Sequence, residues 1–387
     1  MSRLRTRSAF LDALWAHHNA DLRDPREVVS QWASASAVDP RLLRHVVRGR
    51  FWDALEAASG TLIVTREYEH LVVALCATKG RKRLSYLRLP HPSGLAVDPR
   101  KRRLFVASTR NPNMVFEFAP GRGLVKREDA HDVGVPADAL LPVACRYLPG
   151  CLYLHDLALI GGRLHGNAVA MNAVVELPDA GGFRPAWWPR SVDGKGRPLL
   201  DRNYLQLNSI AAGDDLAGSF FSASAATPSA RRPGHLNFPV DGRGVIFSGE
   251  TRKVVATGLT RPHSARLQDG VLWVANSGYG ELGRVAGGRF ERVTSLSGWT
   301  RGLCLDRGIA FVGTSRVIPR FARYAPGVDP ARSEPGVHAV DLRTGRVLGS
   351  LVWPFGNQIF AIEMTKGFDT AGFPFSGGTS DRRPMPS

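Results

Sequence analysis

Six polar residues stand at equivalent places in a repeated segment of this chain, and their types could support chemistry. Each comes just ahead of a short apolar stretch typical of a strand, and in chain order they are Ser93, His155, Asn208, His263, Arg301 and Asn357. Two imidazoles directed at one space suit metal ligation or paired general acid and base catalysis. A guanidinium beside them favours a carboxylate or a phosphate, because it can hold either group with two parallel hydrogen bonds.

Three interpretations of the two histidines stay open on the sequence alone. In the first, His155, His263 and Asn208 bind one divalent metal ion, and Arg301 holds the acid group of a substrate. In the second, the two histidines and Arg301 are catalytic without a metal. In the third, the six residues are only the polar lining of a water-filled channel.

The same residue types predict a negatively charged partner. Arg301 and Asn208 are expected to bind and orient it, and Ser93 and Asn357 to complete the ring around it. Arg316, at the end of the strand that follows Arg301, could add a second positive group at the rim. We therefore expect the substrate to be an anionic small molecule or a modified peptide.

These residues can converge only if the repeated segments are arranged in a circle. Self-similarity at roughly 40–60 residues is typical of a β-propeller, in which the innermost strand of each blade lines a central channel. Three strand-like stretches, 61–65, 70–75 and 83–88, precede the first ring residue, and the last ring strand, 357–363, has no partners after it. Pairing the last strand with the first three closes the circle and removes open edges. The sequence thus predicts an all-β fold, a six-bladed β-propeller with a helical N-terminal extension.

Three regions are predicted along the chain. They are a helical extension at 1–58, the propeller at 59–365 and a disordered tail at 366–387. The evidence for helices is the spacing of Phe10, Leu11, Leu14 and Trp15, helix-start signals at 24–27 and 39–40, and a helix stop at Gly49. With blades counted from the one that holds Ser93, the long loops are 225–235 in the third and 316–335 in the fifth. Long loops on a rigid scaffold tend to carry function.

Composition excludes several classes of protein. The 387 residues are 43% hydrophobic, but no stretch approaches the about 20 apolar residues of a membrane span, so no membrane partner is expected. The four cysteines lack zinc-type spacing, and with no apolar leader they predict a cytoplasmic protein with reduced thiols.

The net charge of +17 raises the question of nucleic acid, but the arginines are scattered. Nucleic acid is therefore disfavoured, and a small anion is favoured.

The repeated segments resemble an uncharacterised bacterial family of conserved hypothetical proteins, a domain of unknown function. The matching pieces are 93–98, 155–158, 207–211, 262–266, 272–278, 280–283, 300–303 and 310–315. The family's His-Asp, Asn, Pro-His-Ser and Thr-Arg-Gly elements map onto His155, Asn208, His263 and Arg301. The chain departs from the family at Asn357 and Gln358, where acidic residues are usual, and at 316–323. More distantly, the blades are similar to NHL, gluconolactonase and amidating-lyase propellers, several of which hold a channel metal through His, Asn, Asp or Glu.

Two functions from different classes are consistent with this pattern. The favoured one is an enzyme, a lyase or hydrolase with or without a metal, acting on an anionic small molecule or modified peptide in the channel. The alternative is a non-catalytic propeller scaffold that binds a protein partner through its N-terminal helices and long loops.

Overall fold

The fold was determined as a computed structural model that describes residues 8–17, 35–110, 112–121, 136, 138–229, 231, 233, 235 and 237–377. Helix α1 spans 8–17 and helix α2 spans Phe51–Ala58. Short 3-10 helices lie at Pro40–Leu43, Val169–Met171, Arg190–Val192, Ser277–Tyr279, Pro319–Tyr324 and Pro330–Arg332. None of the helices in these parts of the chain has the length and apolar character that a membrane crossing requires.

Most of the described chain consists of short strands. The first thirteen are β1 (Val46–Gly49), β2 (Thr61–Arg66), β3 (Leu71–Thr78), β4 (Arg81–Arg88), β5 (Pro92–Asp98), β6 (Arg103–Ser108), β7 (Asn113–Pro120), β8 (Leu140–Leu148), β9 (Leu154–Ile160), β10 (Arg163–Ala168), β11 (Ala173–Glu176), β12 (Arg184–Trp187) and β13 (Leu207–Ala211). The others are β14 (Phe220–Ala223), β15 (Gly244–Ser248), β16 (Val254–Leu259), β17 (Pro262–Gln268), β18 (Val271–Asn276), β19 (Glu281–Ala286), β20 (Arg289–Ser295), β21 (Trp299–Asp306), β22 (Ile309–Ser315), β23 (Gly336–Asp341), β24 (Val347–Val352), β25 (Ile362–Thr365) and β26 (Phe375–Ser376).

The strands form six antiparallel sheets, which confirms the prediction of a six-bladed β-propeller. From the inside outwards, blade 1 is β5–β8, blade 2 is β9–β12, blade 3 is β13–β16, blade 4 is β17–β20, blade 5 is β21–β24 followed by β1, and blade 6 is β25, β2, β3, β4 and β26. The predicted closure is confirmed, because β25 pairs with β2 from Thr61 opposite Thr365 to Val64 opposite Ile362. The inner strands contact one another in the order β5, β9, β13, β17, β21 and β25, and β25 contacts β5 again.

The repeated segment of the sequence is a β-bulge in the inner strand. In blades 1 to 5 the inner strand has one more residue than its partner, either at the polar position, as between Thr300 and Leu303, or directly after it, as between His263 and Arg266. A bulge re-aims the side chain that it carries. At two of these bulges the residue after the polar one has a left-handed backbone, Ser264 with φ 54° and Gly302 with φ 85°. Small residues recur there because the chain must take this conformation or pass close to its neighbour.

Side-chain hydrogen bonds near these bulges join every pair of neighbouring blades. In order round the ring they are Ser93 Oγ to Leu154 O (2.9 Å), Ile210 N to Asp156 Oδ2 (3.0 Å), Ala265 N to Ser209 Oγ (2.8 Å), Gly302 N to Ser264 Oγ (2.8 Å), Ser315 Oγ to Ile359 O (3.0 Å) and Thr65 Oγ1 to Ser93 O (2.8 Å). We call these six bonds the blade ring. Much of the repeated sequence is therefore explained by closure of the propeller.

Apolar side chains fill the space between each pair of blades. One cluster packs Leu95, Leu104 and Phe118 of blade 1 with residues of blade 6, and another packs Ile160 and Val174 of blade 2 with Ile210 of blade 3. Comparable clusters lie at the other four junctions. All four cysteines are free thiols in the structure.

The N-terminal region is not helical throughout its described residues, so the prediction of a helical segment over 1–58 was wrong at 46–49, which form strand β1. Helix α1 is present, and residues 18–34, with the helix-start signal at 24–27, lie outside the described residues. Asp39 caps a 3-10 helix, and Gly49 is the last residue of β1 rather than a helix stop. Strand β1 was missed because Val46 and Val47 suit a helix as well as an edge strand, and pairing with β24 decides between them.

Helix α2 and the C-terminal segment both pack onto the propeller. Phe51, Trp52 and Leu55 of α2 are buried against blades 5 and 6. The predicted disorder of 366–387 was wrong for residues 366–377, because Phe368, Phe373 and Phe375 are buried and β26 pairs with β4. The high Gly, Ser and Pro content of this segment concealed its three aromatic anchors. Residues 378–387 lie outside the described part of the chain.

Candidate functional site

A cavity of about 330 Å³ lies where the inner strands begin. Its charged and imidazole lining consists of Glu67, Arg110, His155, Arg261, His263, Arg301 and Arg320. Its aromatic lining consists of Tyr68, Tyr153, Trp299, Phe321, Tyr324 and Phe360, and the remaining lining residues are Asn203, Gln206, Pro233 and Gln358. Three predicted residues, His155, His263 and Arg301, are thus brought together at one site.

Bulges place these three side chains. His155 and Arg301 lie within the bulges of β9 and β21, and His263 directly precedes the bulge of β17. A bulge changes the direction of the side chains beside it, and all three side chains line the channel cavity. The long loops contribute as well, since Pro233 comes from 225–235 and Arg320, Phe321 and Tyr324 come from 316–335. The loops therefore supply part of the wall, and the propeller supplies its base.

The hydrogen bonds of His263 fix its tautomer. Its Nδ1 lies 2.8 Å from the Arg261 carbonyl oxygen, which can only accept, so Nδ1 carries the proton. Nδ1 is also 3.2 Å from Ser277 Oγ, whose own hydroxyl donates to the Thr300 carbonyl oxygen at 2.6 Å. Nε2 therefore holds a lone pair available to a ligand. Burial lowers the pKa of His263 well below its usual value, and the charges of Arg301 and Arg261 lower it further, so the ring is neutral at pH 7.

His155 is also held neutral, between two aromatic rings. Its ring centroid is 4.9 Å from that of Tyr153 and 5.3 Å from that of Phe360, the latter nearly perpendicular. Burial lowers the pKa of His155 well below its usual value, and the neighbouring arginines act in the same direction. Its Nδ1 has no hydrogen-bond partner among the described residues. Each imidazole thus retains one nitrogen that the protein does not use.

Arg301 is a buried cation with spare hydrogen-bonding capacity. Its Cζ lies 3.3 Å from the centroid of Phe360, and only 5% of the residue is exposed. With the Gln358 amide oriented to satisfy both of its ends, Nη1 donates to Gln358 Oε1 at 3.1 Å and Gln358 Nε2 donates to Glu67 Oε2 at 2.8 Å. Nη2 has no partner among the described residues. Burial lowers the pKa of Arg301 to about 10, so it remains charged at pH 7.

Arg261 is a second buried cation, which sequence reasoning missed. It is 4% exposed, its Nη1 donates to Gln206 Oε1 at 2.6 Å, and its Cζ lies 4.3 Å from the centroid of Tyr324. Its Nε has no partner in the described structure, and burial lowers its pKa to about 10. The one sequence signal was its position directly before Pro262-His263, which does not reveal the direction of its side chain.

Four predicted site residues do not line the cavity. Ser93 Oγ is engaged in the blade ring, and the Asn208 amide nitrogen donates to Ser224 Oγ at 3.0 Å and to the Pro262 carbonyl oxygen at 2.9 Å. The backbone of Asn357 bonds Glu69 Oε1 and the Arg316 amide, and its neighbour Gln358 reaches the cavity instead. The Arg316 side chain donates to the Pro354 and Gly356 carbonyl oxygens. Arg320 of the same loop lines the cavity in its place.

The predicted metal site has donor atoms but an unfavourable charge environment. His263 Nε2, His155 Nδ1 and Asn208 Oδ1 have no protein partner among the described residues. No group of three or more His, Cys, Asp or Glu side chains suited to a metal occurs in the described ranges. Arg261 and Arg301 are buried beside both imidazoles, and two fixed cations repel a divalent ion. These residues therefore fit an anion better than a metal, and the metal stays a prediction.

Comparison with known proteins agrees with the fold and leaves the chemistry open. A family model described as domain of unknown function DUF4915 matches residues 49–372. No curated protein matches the chain. A chain in the crystal structure of a nidogen/laminin complex is similar with a TM-score of 0.51 and 10% identity, over 80% of this chain and 99% of that one. A gluconolactonase from Xanthomonas campestris gives a TM-score of 0.44 and 15% identity, over 69% and 77%. At these identities the likeness shows the propeller fold alone.

Proposed function

Because the chain belongs to the DUF4915 family, a domain of unknown function, we propose its function from the cavity itself: it binds an anionic small molecule there and catalyses proton transfer on it. The reaction class is hydrolysis or elimination, with a neutral imidazole as the base and a guanidinium to stabilise the negative charge that develops. His263 is the proposed base, and Arg301 is the proposed anion-binding group.

One observation carries this proposal. Arg261 and Arg301 are both buried and charged, and neither has a carboxylate within 4.0 Å among the described residues, unlike the paired arginines elsewhere in the propeller. A buried charge without a counter-charge is costly by several kcal/mol. Such an arrangement is expected where a ligand supplies the missing charge, as in a substrate site.

The histidines suit this chemistry once the anion is bound. In the free protein the arginines help to hold the pKa of His263 well below its usual value, which makes it a weak base. A bound anion offsets those positive charges and raises that pKa toward the range in which a base is effective at neutral pH. In hydrolysis His263 Nε2 accepts a proton from water as the water oxygen bonds to the substrate carbonyl carbon, an N–H of Arg301 binds the developing oxyanion, and the imidazolium returns the proton to the leaving alcohol oxygen as the C–O bond breaks. In elimination His263 Nε2 accepts a proton from the carbon next to the acid group and returns it to the β-hydroxyl, which leaves as water. The base is thus activated by the substrate that it acts on.

A matched pair of histidine variants tests this role. His263 and His165 both bond the carbonyl two residues earlier through Nδ1, at 2.8 Å and 3.0 Å, but only His263 lines the cavity. Turnover is screened by mass spectrometry on a panel of carboxylated and phosphorylated esters, lactones and β-hydroxy acids. We expect His263→Gln to lower kcat by about 100-fold or more and His165→Gln to leave it near wild type.

The outcomes separate the two functions considered. Equal loss in both variants would mean that His263 acts through the fold and would refute its role as the base. No turnover on any substrate class would favour the alternative of a non-catalytic scaffold. Elemental analysis of the purified protein, beside His155→Ala and His263→Ala, tests the metal: near-stoichiometric metal lost in both variants would contradict the metal-free reaction.

A further inference from the structure

We infer that the ligand of this cavity is a small molecule carrying at least two negative charges, such as a phosphomonoester or a dicarboxylate. This inference rests on the proposed function, since it specifies the anion that the cavity binds. It also selects between the two substrate classes that the sequence left open, a small molecule and a modified peptide.

The positive charge of the cavity lining requires a ligand with more than one negative charge. Four arginines and one glutamate line the cavity, and with both histidines neutral the formal charge of the described lining is +3. Glu67 is already engaged, because it accepts from Thr109 Oγ1 at 2.6 Å and lies 3.6 Å from Arg110 Nε. It therefore cannot neutralise Arg261 as well.

Arg261 and Arg301 are two separate binding points. Each guanidinium lies over its own ring, that of Tyr324 at 4.3 Å or that of Phe360 at 3.3 Å. Each also donates to its own amide, Gln206 for Arg261 and Gln358 for Arg301. A guanidinium held against a ring keeps its N–H donors in a fixed plane, which suits carboxylate and phosphate oxygens. Each retains one N–H group without a partner, so the pair offers two oriented donors.

A monoanion cannot satisfy both points. It would neutralise one arginine and leave the other as a buried cation with no carboxylate in direct contact among the described residues, which is the costly state. A dianion removes that cost at both. The volume of about 330 Å³ lies at the lower end of the range for small-molecule sites. The aromatic walls then hold a compact ligand rather than a length of peptide.

The test measures binding of simple anions to the full-length protein. Acetate, inorganic phosphate, malonate and succinate are titrated calorimetrically at pH 7.5 and constant ionic strength. We expect phosphate or at least one dicarboxylate to bind ten or more times as tightly as acetate, since each buried charge pair is worth about 1.4 kcal/mol or more. Whether phosphate or a dicarboxylate binds best distinguishes one doubly charged group from two separate ones.

Two arginine variants of equal net charge control for bulk electrostatics. Arg261→Gln removes a cavity cation, and Arg284→Gln removes an arginine whose side chain is 52% exposed and paired with Glu291. We expect Arg261→Gln to weaken dianion binding by about 30-fold or more and to keep the affinity for acetate within a few-fold of the wild-type value. Arg284→Gln should change neither the dianion affinity nor the acetate affinity.

Each result has a separate meaning. Equal affinity of the wild-type protein for acetate and for every dianion would overturn this inference. The proposed function, which requires only an anionic substrate, would still stand. No binding of any of the four anions would overturn both the inference and the proposed function. If Arg261→Gln does not fold, the affinities of the wild-type protein for acetate and for the dianions still test whether the ligand carries two negative charges.

Discussion

Replacing Asp156 with asparagine is expected to weaken the whole propeller, because this carboxylate joins three blades. Asp156 Oδ2 accepts from the Ile210 amide at 3.0 Å and from Arg266 Nη1 at 2.9 Å, and Oδ1 accepts from the Leu157 amide at 3.1 Å. The Asp156 side chain is 5% exposed and that of Arg266 is 16% exposed. Asp156 was predicted only as part of a His-Asp pair, and the structure gives it a place in the blade ring.

The size of the effect follows from the burial of the pair. Asp156→Asn keeps the shape but removes the charge, so Arg266 becomes a buried cation without its partner. Breaking a buried ion pair from one side costs about 3–5 kcal/mol, a large share of the roughly 5–15 kcal/mol that stabilises a typical domain. We expect the free energy of unfolding in urea to fall by that amount.

The exposed pair Arg284–Glu291 supplies the control. It has the same N···O distance of 2.9 Å, but its side chains are 52% and 49% exposed. Glu291→Gln changes the net charge equally and should cost no more than about 1 kcal/mol. A loss in Asp156→Asn no larger than in Glu291→Gln would refute the reasoning. The double variant Asp156→Asn with Arg266→Met should recover much of the loss, because it removes the orphaned cation.

Two further perturbations test other parts of the account. Burial lowers the pKa of His338 to about 4. Below pH 6.5 this histidine therefore binds a proton in the unfolded chain but not in the folded protein. The stability that neutral His338 contributes is complete above pH 6.5 and declines by about 3 kcal/mol as the pH falls to 4. Urea unfolding at pH 7 and pH 4.5 should show a smaller loss in His338→Gln than in wild type, and equal losses would contradict this. A Cβ on Gly94 would lie 2.5 Å from the Asp156 Cα, whereas one on Gly218 would lie 3.5 Å from its nearest atom. Gly94→Ala should therefore cost about 1–3 kcal/mol in a thermal melt, Gly218→Ala should cost far less, and similar melts would argue against the close approach.

The repeat predicted the fold because one local device, the bulge with its polar residue, recurs in five inner strands. It also located His155, His263 and Arg301, since the bulge fixes the direction of those side chains. The same pattern failed at Asn357, because the chain before β25 forms no bulge and the side chain one residue later reaches the cavity. Arg261 could not be found, since nothing in its neighbours shows that it turns inward.

The segments outside the propeller were predicted less well for a related reason. A four-residue edge strand such as β1 has no period long enough to distinguish it from a helix, and its pairing with β24 is a contact across about 300 residues. The C-terminal segment has the composition of a disordered chain, and the burial of Phe373 and Phe375 depends on a groove that only the closed propeller provides.

The central claim is that Arg261 and Arg301 bind an anion and do not stabilise the fold. The most direct measurement is the free energy of urea unfolding of Arg261→Met in a buffer of chloride and HEPES, with and without phosphate or malonate. Without those anions the account predicts a variant as stable as wild type or more stable, by up to about 4 kcal/mol, because an unpaired buried charge has been removed. Adding the dianion should stabilise wild type and not the variant. A variant less stable than wild type in both buffers would show that Arg261 serves the fold, and would contradict the claim.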